Sequence, residues 1–267
     1  MSPRIIEWRQ GNTYELSAAS DGLDVAVVIS HDCDLRSEKE TNVEIIRARY
    51  ISSPNATFQY AKNARTLHIA SQNETGEVRW IELEQKHKQS VSVVELNSFQ
   101  AGQWAITGVS KRELKQWLAA RYARPAFPNE FEKHLRTAIK KSTVEKELGK
   151  IISTAAASIY AVFFQIMERD QELPDEEPYT LNIRVVYRTE EFHSARAMCE
   201  GASDQIKSLF ANIFGEEGHA TKICLESCEV IADSEIRLDF IRTADQWRVE
   251  YLSFDDVPGE FLPAGKV

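Results

Sequence analysis

The first hundred residues contain only short apolar runs, each bounded by polar residues or a turn. Val25–Ile29 is a β-branched run that is too short for a helix and apolar on both faces, which is typical of a central strand. Further short strands are predicted at residues 12–16, 43–51, 67–70, 78–83 and 89–96. Strands that recur at intervals of about 12–15 residues favour a small barrel or a strongly twisted sheet. Residues 1–108 are therefore predicted to form a β-rich, barrel-like domain.

Residues 109–150 are predicted to form a helical connector. Ser110, with Glu113 three residues later, matches a capping box at the start of a helix. Asn129 with Glu132 is a second signal of the same kind, and prolines between the two helices end the first. The second helical stretch is predicted to extend as far as residue 150.

Residues 151–267 alternate strand and helix patterns. A long-looped hairpin is predicted from residues 158–167 and 179–187, and a helix follows over residues 189–213, where apolar side chains recur at steps of three and four. Further strands are predicted at residues 223–231, 238–241 and 247–254. This order predicts a C-terminal α+β domain in which one helix packs on an antiparallel sheet. The fold class predicted for the whole chain is α+β.

The net charge of −9, from 32 basic and 41 acidic residues, is unevenly distributed. Residues 1–108 carry −3, residues 109–150 carry +6, and residues 151–267 carry −12. The basic segment either docks on the acidic C-terminal part or faces an anionic partner such as RNA or DNA. The acidic domain is in turn predicted to bind a protein partner.

The chain is predicted to be cytoplasmic. No apolar run approaches the roughly 20 residues that a membrane helix needs, and the N-terminus lacks the apolar core of a secretory signal. Its 4 cysteines have no dense spacing pattern, which fits reduced thiols in a cytosol. We therefore expect no membrane contact.

The sharpest local signal is the SHDCD segment, residues 30–34, at the end of the predicted central strand. In an extended backbone His31 and Cys33 point to one side, and Asp32 and Asp34 point to the other. Cys33 is a candidate thiol nucleophile with His31 as its base. In the alternative interpretation the segment is a structural turn, in which the two aspartates bond backbone N–H groups and Cys33 is buried.

Metal binding is a further possibility for this segment. Asp32, Asp34 and the more distant Glu44 would supply hard oxygen ligands to a divalent metal, which is the cofactor this set predicts. His31 and Cys33 could instead begin a zinc site, although no clear second ligand pair exists.

Two other groups of residues are candidates for the same site. His68 is expected to be buried in a strand, and it is the best-placed remote histidine to join Cys33 or the aspartates. Glu84-Gln85-Lys86 follows a predicted strand, and an E-x-K of this kind can hold a metal for phosphodiester cleavage. The alternative for E-x-K is a solvated strand end.

The segment at residues 121–128, RYARPAFP, interleaves cations, aromatic rings and prolines. Arg121 and Arg124 are candidates for phosphate contacts, and Tyr122 or Phe127 is a candidate for stacking on a base. The alternative is a rigid elbow set by the two prolines, with Phe127 in the core.

The strand pattern of residues 1–100 resembles the PemK/MazF-like toxin barrels. The resemblance rests on residues 10–14, Val25–Ser30, Val43–Ile46 and Ser90–Val94. It implies a small SH3-like barrel that cuts RNA without a metal and works as a homodimer. Leu23-Asp24 stands where that family usually has arginine-proline, and the SHDCD segment is not part of its pattern. The whole chain also resembles a bacterial family to which no activity can be attached.

The leading hypothesis is a nucleic-acid-acting enzyme or toxin-like defence effector. Its site would comprise His31, Asp32, Cys33 and Asp34, with His68 and the phosphate contacts named above. One alternative is a non-catalytic protein-interaction module in which SHDCD is a turn. Another is a cysteine hydrolase that acts on a substrate other than nucleic acid.

Overall fold

The structure, a computed structural model, describes residues 8–16, 21–120, 127–174, 176–216 and 218–248. Its contacts divide the chain into two compact units, an N-terminal unit Met1–Ala126 and a C-terminal unit Phe127–Val267. Residues 109–150, predicted to form one connector, are shared between these units. Leu114 and Trp117 belong to a core of the first unit, whereas Leu148 belongs to the core of the second.

The N-terminal unit is built on a five-stranded antiparallel sheet in the order β1-β2-β3-β5-β4. The strands are β1 (Thr13–Glu15), β2 (Val25–Val28), β3 (Asn42–Ile51), β4 (Thr66–Gln72) and β5 (Val78–Ser92). The helices are α1 (Asp32–Arg36), α2 (Val93–Asn97) and α3 (Gly108–Ala120). Helices and antiparallel strands together confirm the α+β class.

Among the described residues the two edge strands of this sheet do not pair with each other, and a segment around Ala105 connects them. Ala105 forms isolated bridges both to Asn12, beside β1, and to Gln72, at the end of β4. The amide of Ile106 donates to the carbonyl of Gly11 at 2.8 Å, and the amide of Gln72 donates to Ala105 at 2.8 Å. The predicted barrel-like domain is therefore an open sheet whose edges are joined through this one segment.

Both faces of the sheet are buried near β2. Val25 and Val27 belong to a core cluster with Trp117 of α3, whereas Ala26 and Val28 belong to a second cluster on the other face. The second cluster includes Leu35 of α1 and Leu96 of α2. This two-sided burial explains why β2 is a continuous apolar run, and burying each large side chain stabilises the fold by about 1.5–3 kcal/mol.

Two sequence predictions in this unit were wrong. Residues 78–83 and 89–96 were predicted as separate strands, but β5 is one strand and residues after Ser92 form α2. The helix begins there because the Ser92 hydroxyl accepts a hydrogen bond from the amide of Glu95 at 3.1 Å. Ser110 lies inside α3, which starts two residues earlier at Gly108, and is therefore not its cap.

The C-terminal unit contains a four-stranded sheet in the order β10-β9-β8-β11 and a two-stranded hairpin, β6-β7. The strands are β6 (Ala138–Ile139), β7 (Ser142–Thr143), β8 (Ile159–Ile166), β9 (Tyr179–Tyr187), β10 (Ile223–Ala232) and β11 (Asp245–Trp247). The helices are α4 (Asn129–Leu135), α5 (Val144–Thr154), α6 (Phe192–Phe214) and α7 (Leu238–Thr243).

The larger sheet is mixed, which corrects the predicted antiparallel sheet. β9 pairs with β8 in antiparallel fashion but with β10 in parallel fashion. A parallel neighbour needs a crossover connection, and α6 between β9 and β10 supplies it. The predicted apolar stripe on this helix is buried at Ala195, Cys199 and Ile206.

Other predicted ends in this unit also differ. The helix at Asn129 has Pro128 at its N-cap position, and the carboxylate of Glu172 accepts hydrogen bonds from the amides of Asn129 at 2.7 Å and Glu130 at 3.0 Å. A distant acid thus replaces the predicted local cap. The stretch expected to stay helical to residue 150 is interrupted by the β6-β7 hairpin.

The segment 238–241, predicted as a strand, is helical in α7, where Phe240 is buried while Leu238 and Ile241 are exposed. Of the strand predicted at residues 247–254, the part beyond residue 248 lies outside the described residues.

The link between the sheet edges can be tested at Gly11. Its φ is +91°, and a Cβ there would lie 2.4 Å from the carbonyl oxygen of Ile106. Gly76 is a matched control, since its φ is +84° and a Cβ there would meet no atom within 4 Å. We expect Gly76→Ala to lower the free energy of unfolding by about 1 kcal/mol from backbone strain. Gly11→Ala should lower it by about 1–3 kcal/mol more, because the backbone must move.

Urea denaturation of the two variants beside the parent measures this difference. Equal losses in the two variants would show that the Gly11–Ile106 contact does not hold the edges together.

Candidate functional site

The SHDCD segment turns into a short helix immediately after β2, instead of continuing as extended chain. His31 is the N-cap of α1, and its Nδ1 accepts a hydrogen bond from the backbone amide of Cys33 at 3.3 Å. Asp32 and Asp34 lie in the first turn, where the helix dipole favours negative charge. Leu35 is buried and anchors the helix to the core. The predicted alternation of side chains to opposite sides is therefore wrong.

Asp32 joins three separated parts of the N-terminal unit. One carboxylate oxygen accepts a hydrogen bond from the amide of Gln10 at 2.7 Å, and the other lies 3.3 Å from Nζ of Lys111 in α3. Burial acts to raise the pKa of Asp32, but the Gln10 and Lys111 contacts outweigh it and hold the pKa below its usual value. Asp32 is therefore a carboxylate at neutral pH and a poor general acid.

Gln10 reinforces this junction from the N-terminal side. Its side-chain amide donates to the carbonyl of Ile29 at 2.8 Å, directly before the SHDCD segment. The side chain is buried, and in the part of the chain that the structure describes its Oε1 has no hydrogen-bond partner. Gln10 thus fixes the end of β2 against the segment that precedes β1.

Ser30 and Glu44 have structural contacts of their own. The hydroxyl of Ser30 accepts a hydrogen bond from the amide of Glu44 at 2.8 Å, and the Glu44 carboxylate pairs with Lys88 at 2.8 Å. Lysine thus pairs with two of the three predicted metal ligands, Asp32 and Glu44. Among the described residues no three His, Cys, Asp or Glu side chains are grouped so as to hold a metal ion. The structure therefore does not assemble the predicted Asp32–Asp34–Glu44 site or a zinc site at His31 and Cys33.

The E-x-K candidate also pairs internally. Lys86 lies 2.7 Å from a carboxylate oxygen of Glu84, and Arg49 lies 3.7 Å from the other. The segment lies inside β5, at its register shift with β3, so the predicted strand end is wrong.

His31, Cys33 and Asp34 are the exposed residues of the segment. The bond from the Cys33 amide requires a lone pair on Nδ1 of His31, so the neutral ring carries its proton on Nε2. Cys33 is exposed, whereas Cys199 and Cys228 are buried. The His31 contact engages the backbone of Cys33, so it shapes the helix start rather than activating the thiol directly.

His68 belongs to a different part of the sheet. Its Nδ1 accepts from the amide of Asn55 and its Nε2 lies beside Glu82, both at 2.8 Å. Arg49 also donates to this glutamate, which completes a row of directly paired residues across β4, β5 and β3. Both ring nitrogens are engaged, so His68 is not free to accept a proton from a substrate.

The row lies far from the SHDCD segment. β4 and β2 are separated by two strands, which at roughly 4.8 Å per strand spacing is about 14 Å. The structure therefore does not bring His68 to Cys33 or to the aspartates.

The predicted phosphate contacts Arg121 and Arg124, and the stacking candidate Tyr122, lie outside the described residues. The helix before them contains cations that sequence reasoning did not single out. Arg112 and Lys115 of α3 are exposed and have no ion-pair partner among the residues described. Their spacing of three residues makes them neighbours on one surface of the helix. This spacing was the signal in the sequence that could have indicated a basic helix surface.

No protein-family model matches the chain, and no curated protein matches it. The similarity to PemK/MazF-like barrels therefore stays a prediction. In the parts of the chain that the structure describes, no helix has the length and apolar character needed to cross a membrane.

The Asp32 junction predicts a pH-dependent contribution to stability. Because its folded pKa is lowered, the contribution is present above the unfolded pKa of about 4 and is lost as pH falls through the folded value. Asp32→Asn keeps an oxygen for Gln10 but removes the charge that holds Lys111. We expect it to be less stable than the parent at pH 7, with the difference shrinking below about pH 4.

Urea denaturation across that pH range measures the effect. Asp34→Asn is the matched control. It also removes a carboxylate from α1, but the Asp34 carboxylate makes no side-chain hydrogen bond within the described chain. A deficit of Asp32→Asn that stays constant down to about pH 3 would contradict the linkage.

Proposed function

We propose that the N-terminal unit binds the phosphate backbone of RNA or DNA through a surface formed by α1 and α3. The observation that carries the proposal is the contact between Lys111 and Asp32, because it fixes the basic helix beside the SHDCD segment. The two strongest features of the sequence, one polar and one basic, therefore meet at one place.

The charges of α3 support this assignment. Asp32 neutralises Lys111, whereas Arg112 and Lys115 are exposed and lack an ion-pair partner within the described chain. Side chains of this kind bind phosphates and release condensed counterions. The N-terminal unit has 16 basic and 15 acidic residues, so the acidity of the chain belongs to the C-terminal unit, with 16 basic and 26 acidic residues. The net charge of −9 is thus no argument against a polyanion at α3.

The role of each SHDCD residue follows from its contacts. Asp32 is a positioning residue, since its carboxylate is occupied by Gln10 and Lys111. His31 is exposed, and its ring Nε2 is not engaged by the contact to Cys33, so the imidazole is available to a bound phosphate. Any strand cleavage at this surface would depend on His31 rather than on Asp32.

Fluorescence anisotropy with labelled single-stranded RNA and DNA tests the proposal. We expect binding at about 50 mM salt that weakens steeply towards about 200 mM. Arg112→Ala with Lys115→Ala should weaken binding by roughly tenfold or more and reduce the salt slope by about 1.4. The control is Arg65→Ala with Lys86→Ala, which removes two exposed cations from the β4–β5 side of the same unit.

Two results would overturn the proposal. One is the absence of binding by the parent protein at low salt, and the other is an equal effect of the α3 pair and the control pair. Incubating the same oligonucleotides with the parent and with His31→Ala, with and without a chelator, shows whether binding leads to cleavage.

A second candidate function is thiol chemistry at Cys33, favoured by the exposure of this side chain two residues after His31, whose ring contacts the Cys33 backbone amide. Iodoacetamide labelling followed by mass spectrometry measures it. We expect Cys33 to react first, while Cys199 and Cys228 react after unfolding, because burial protects both and raises the pKa of the Cys228 thiol to about 11.

The rate distinguishes a functional thiol from an ordinary exposed one. A functional Cys33 should react faster than glutathione at pH 7 and lose that advantage in His31→Ala. A rate no higher than that of glutathione would exclude an activated thiol.

A further inference from the structure

The C-terminal unit contains a cleft of about 750 Å³ between the β6-β7 hairpin, α5 and α6. Its volume falls within the roughly 300–1,000 Å³ that is usual for small-molecule sites, and the cleft is shallow and largely open to solvent. Three elements that are separate in sequence contribute to it, and every lining residue lies in the described part of the chain. The cleft is independent of the α1–α3 surface because it lies within the other unit.

Its mouth carries two cations that are available for an anion. Lys140 and Lys141 form the turn of the hairpin, are exposed, and have no ion-pair partner among the described residues. The other charges of the lining are already paired, Glu147 with Lys150 at 2.7 Å and Asp204 with Lys207 at 3.6 Å. The uncompensated charge of the cleft is therefore positive.

The turn that presents these lysines has an unusual backbone. Lys140 has φ +53°, in the left-handed region that glycine or asparagine normally occupies. A lysine at this position accepts a steric cost that a glycine would avoid, and such costs concentrate at functional sites.

The floor and the far wall of the cleft are suited to a planar ring. Ile139, Ile151 and Leu209 line it and pack on the core of the unit. Gln205 and Asn212, seven residues apart on α6, place two amides along the same side. Amides of this kind both donate to and accept from the polar edge of a base or a sugar hydroxyl.

We propose that this cleft binds a nucleotide, with its phosphates at Lys140 and Lys141 and its base over the apolar floor. Each part of the ligand has a matching part of the lining. The two adjacent lysines of the turn would bind phosphate oxygens by charge-assisted hydrogen bonds. The aliphatic floor would remove the base from water, and the two amides would bind the polar edge of the base.

Isothermal titration of the full chain with ADP, adenosine and inorganic phosphate tests the proposal. We expect saturable ADP binding with a Kd below about 1 mM, and much weaker binding of the two fragments. Lys140→Ala with Lys141→Ala should weaken ADP binding by at least about tenfold. Ser208→Trp, at an exposed α6 position that lines the cleft, should abolish it by filling the space.

The control is Lys133→Ala with Arg136→Ala, which removes one cation of α4 and the one at its C-cap; they pair with Glu130 and Glu132 and do not line the cleft. It should leave ADP binding unchanged, as should Arg112→Ala with Lys115→Ala in the other unit. Thermal unfolding of each variant shows whether it is folded.

Three results would overturn the assignment. These are no ADP binding by the parent protein, an unchanged Kd in the folded Lys140→Ala, Lys141→Ala variant, and equal binding of inorganic phosphate or of a short acidic peptide. Loss of ADP binding in the Arg112→Ala, Lys115→Ala variant would instead place the nucleotide at the α1–α3 surface.

Discussion

The pairing of β3 with β5 is the interaction on which the N-terminal unit depends. β3 pairs with β5 on both sides of a register shift, where residues 84–87 of β5 stand opposite the single residue Arg47. The first part of β5 also pairs with β4 and supplies Ile81 and Leu83 to the core under α3. Its last part supplies Val91 to the core under α1 and α2. One strand thus contributes to both cores, and α1 and α3, which carry the candidate surface, pack on cores that contain its apolar side chains.

This dependence shows how far the fold could be predicted. The apolar runs at β2, β3 and β9 and the stripe on α6 could be assigned because their periodicity matches their burial. The sequence predicts two strands in place of β5 because residues 84–90 are polar without alternation and resemble a loop. In the structure, the paired residues on either side keep this segment extended. α2 was missed because two valines suggested a strand, whereas the Ser92 cap starts a helix. β10 is parallel to β9 because α6 returns the chain to the other end of the sheet. The periodicity of apolar residues along the sequence does not determine this path.

The candidate site was predictable in composition but not in geometry. The SHDCD segment was located correctly at the end of β2, but its cap is His31 rather than either aspartate, and Cys33 is exposed rather than buried. Its partners were not predictable, because Gln10 and Lys111 approach Asp32 from 22 and 79 residues away in sequence. His68 is buried as predicted, but the strand order that separates β4 from β2 is a property of the whole sheet.

Charge pairing, rather than net charge, distinguishes the surfaces that can bind an anion. Lys86, Lys88, Lys111 and Lys150 all have a carboxylate within 3.3 Å, so a phosphate would have to displace an existing partner. Arg112, Lys115, Lys140 and Lys141 have no such partner in the described chain, and they fall in two groups, one in each unit. Surface ion pairs contribute little to stability, so unpaired cations cost the fold almost nothing. The C-terminal unit can therefore hold an anion at its hairpin in spite of its acidic total, since screening over about 8–10 Å limits the reach of the remaining carboxylates.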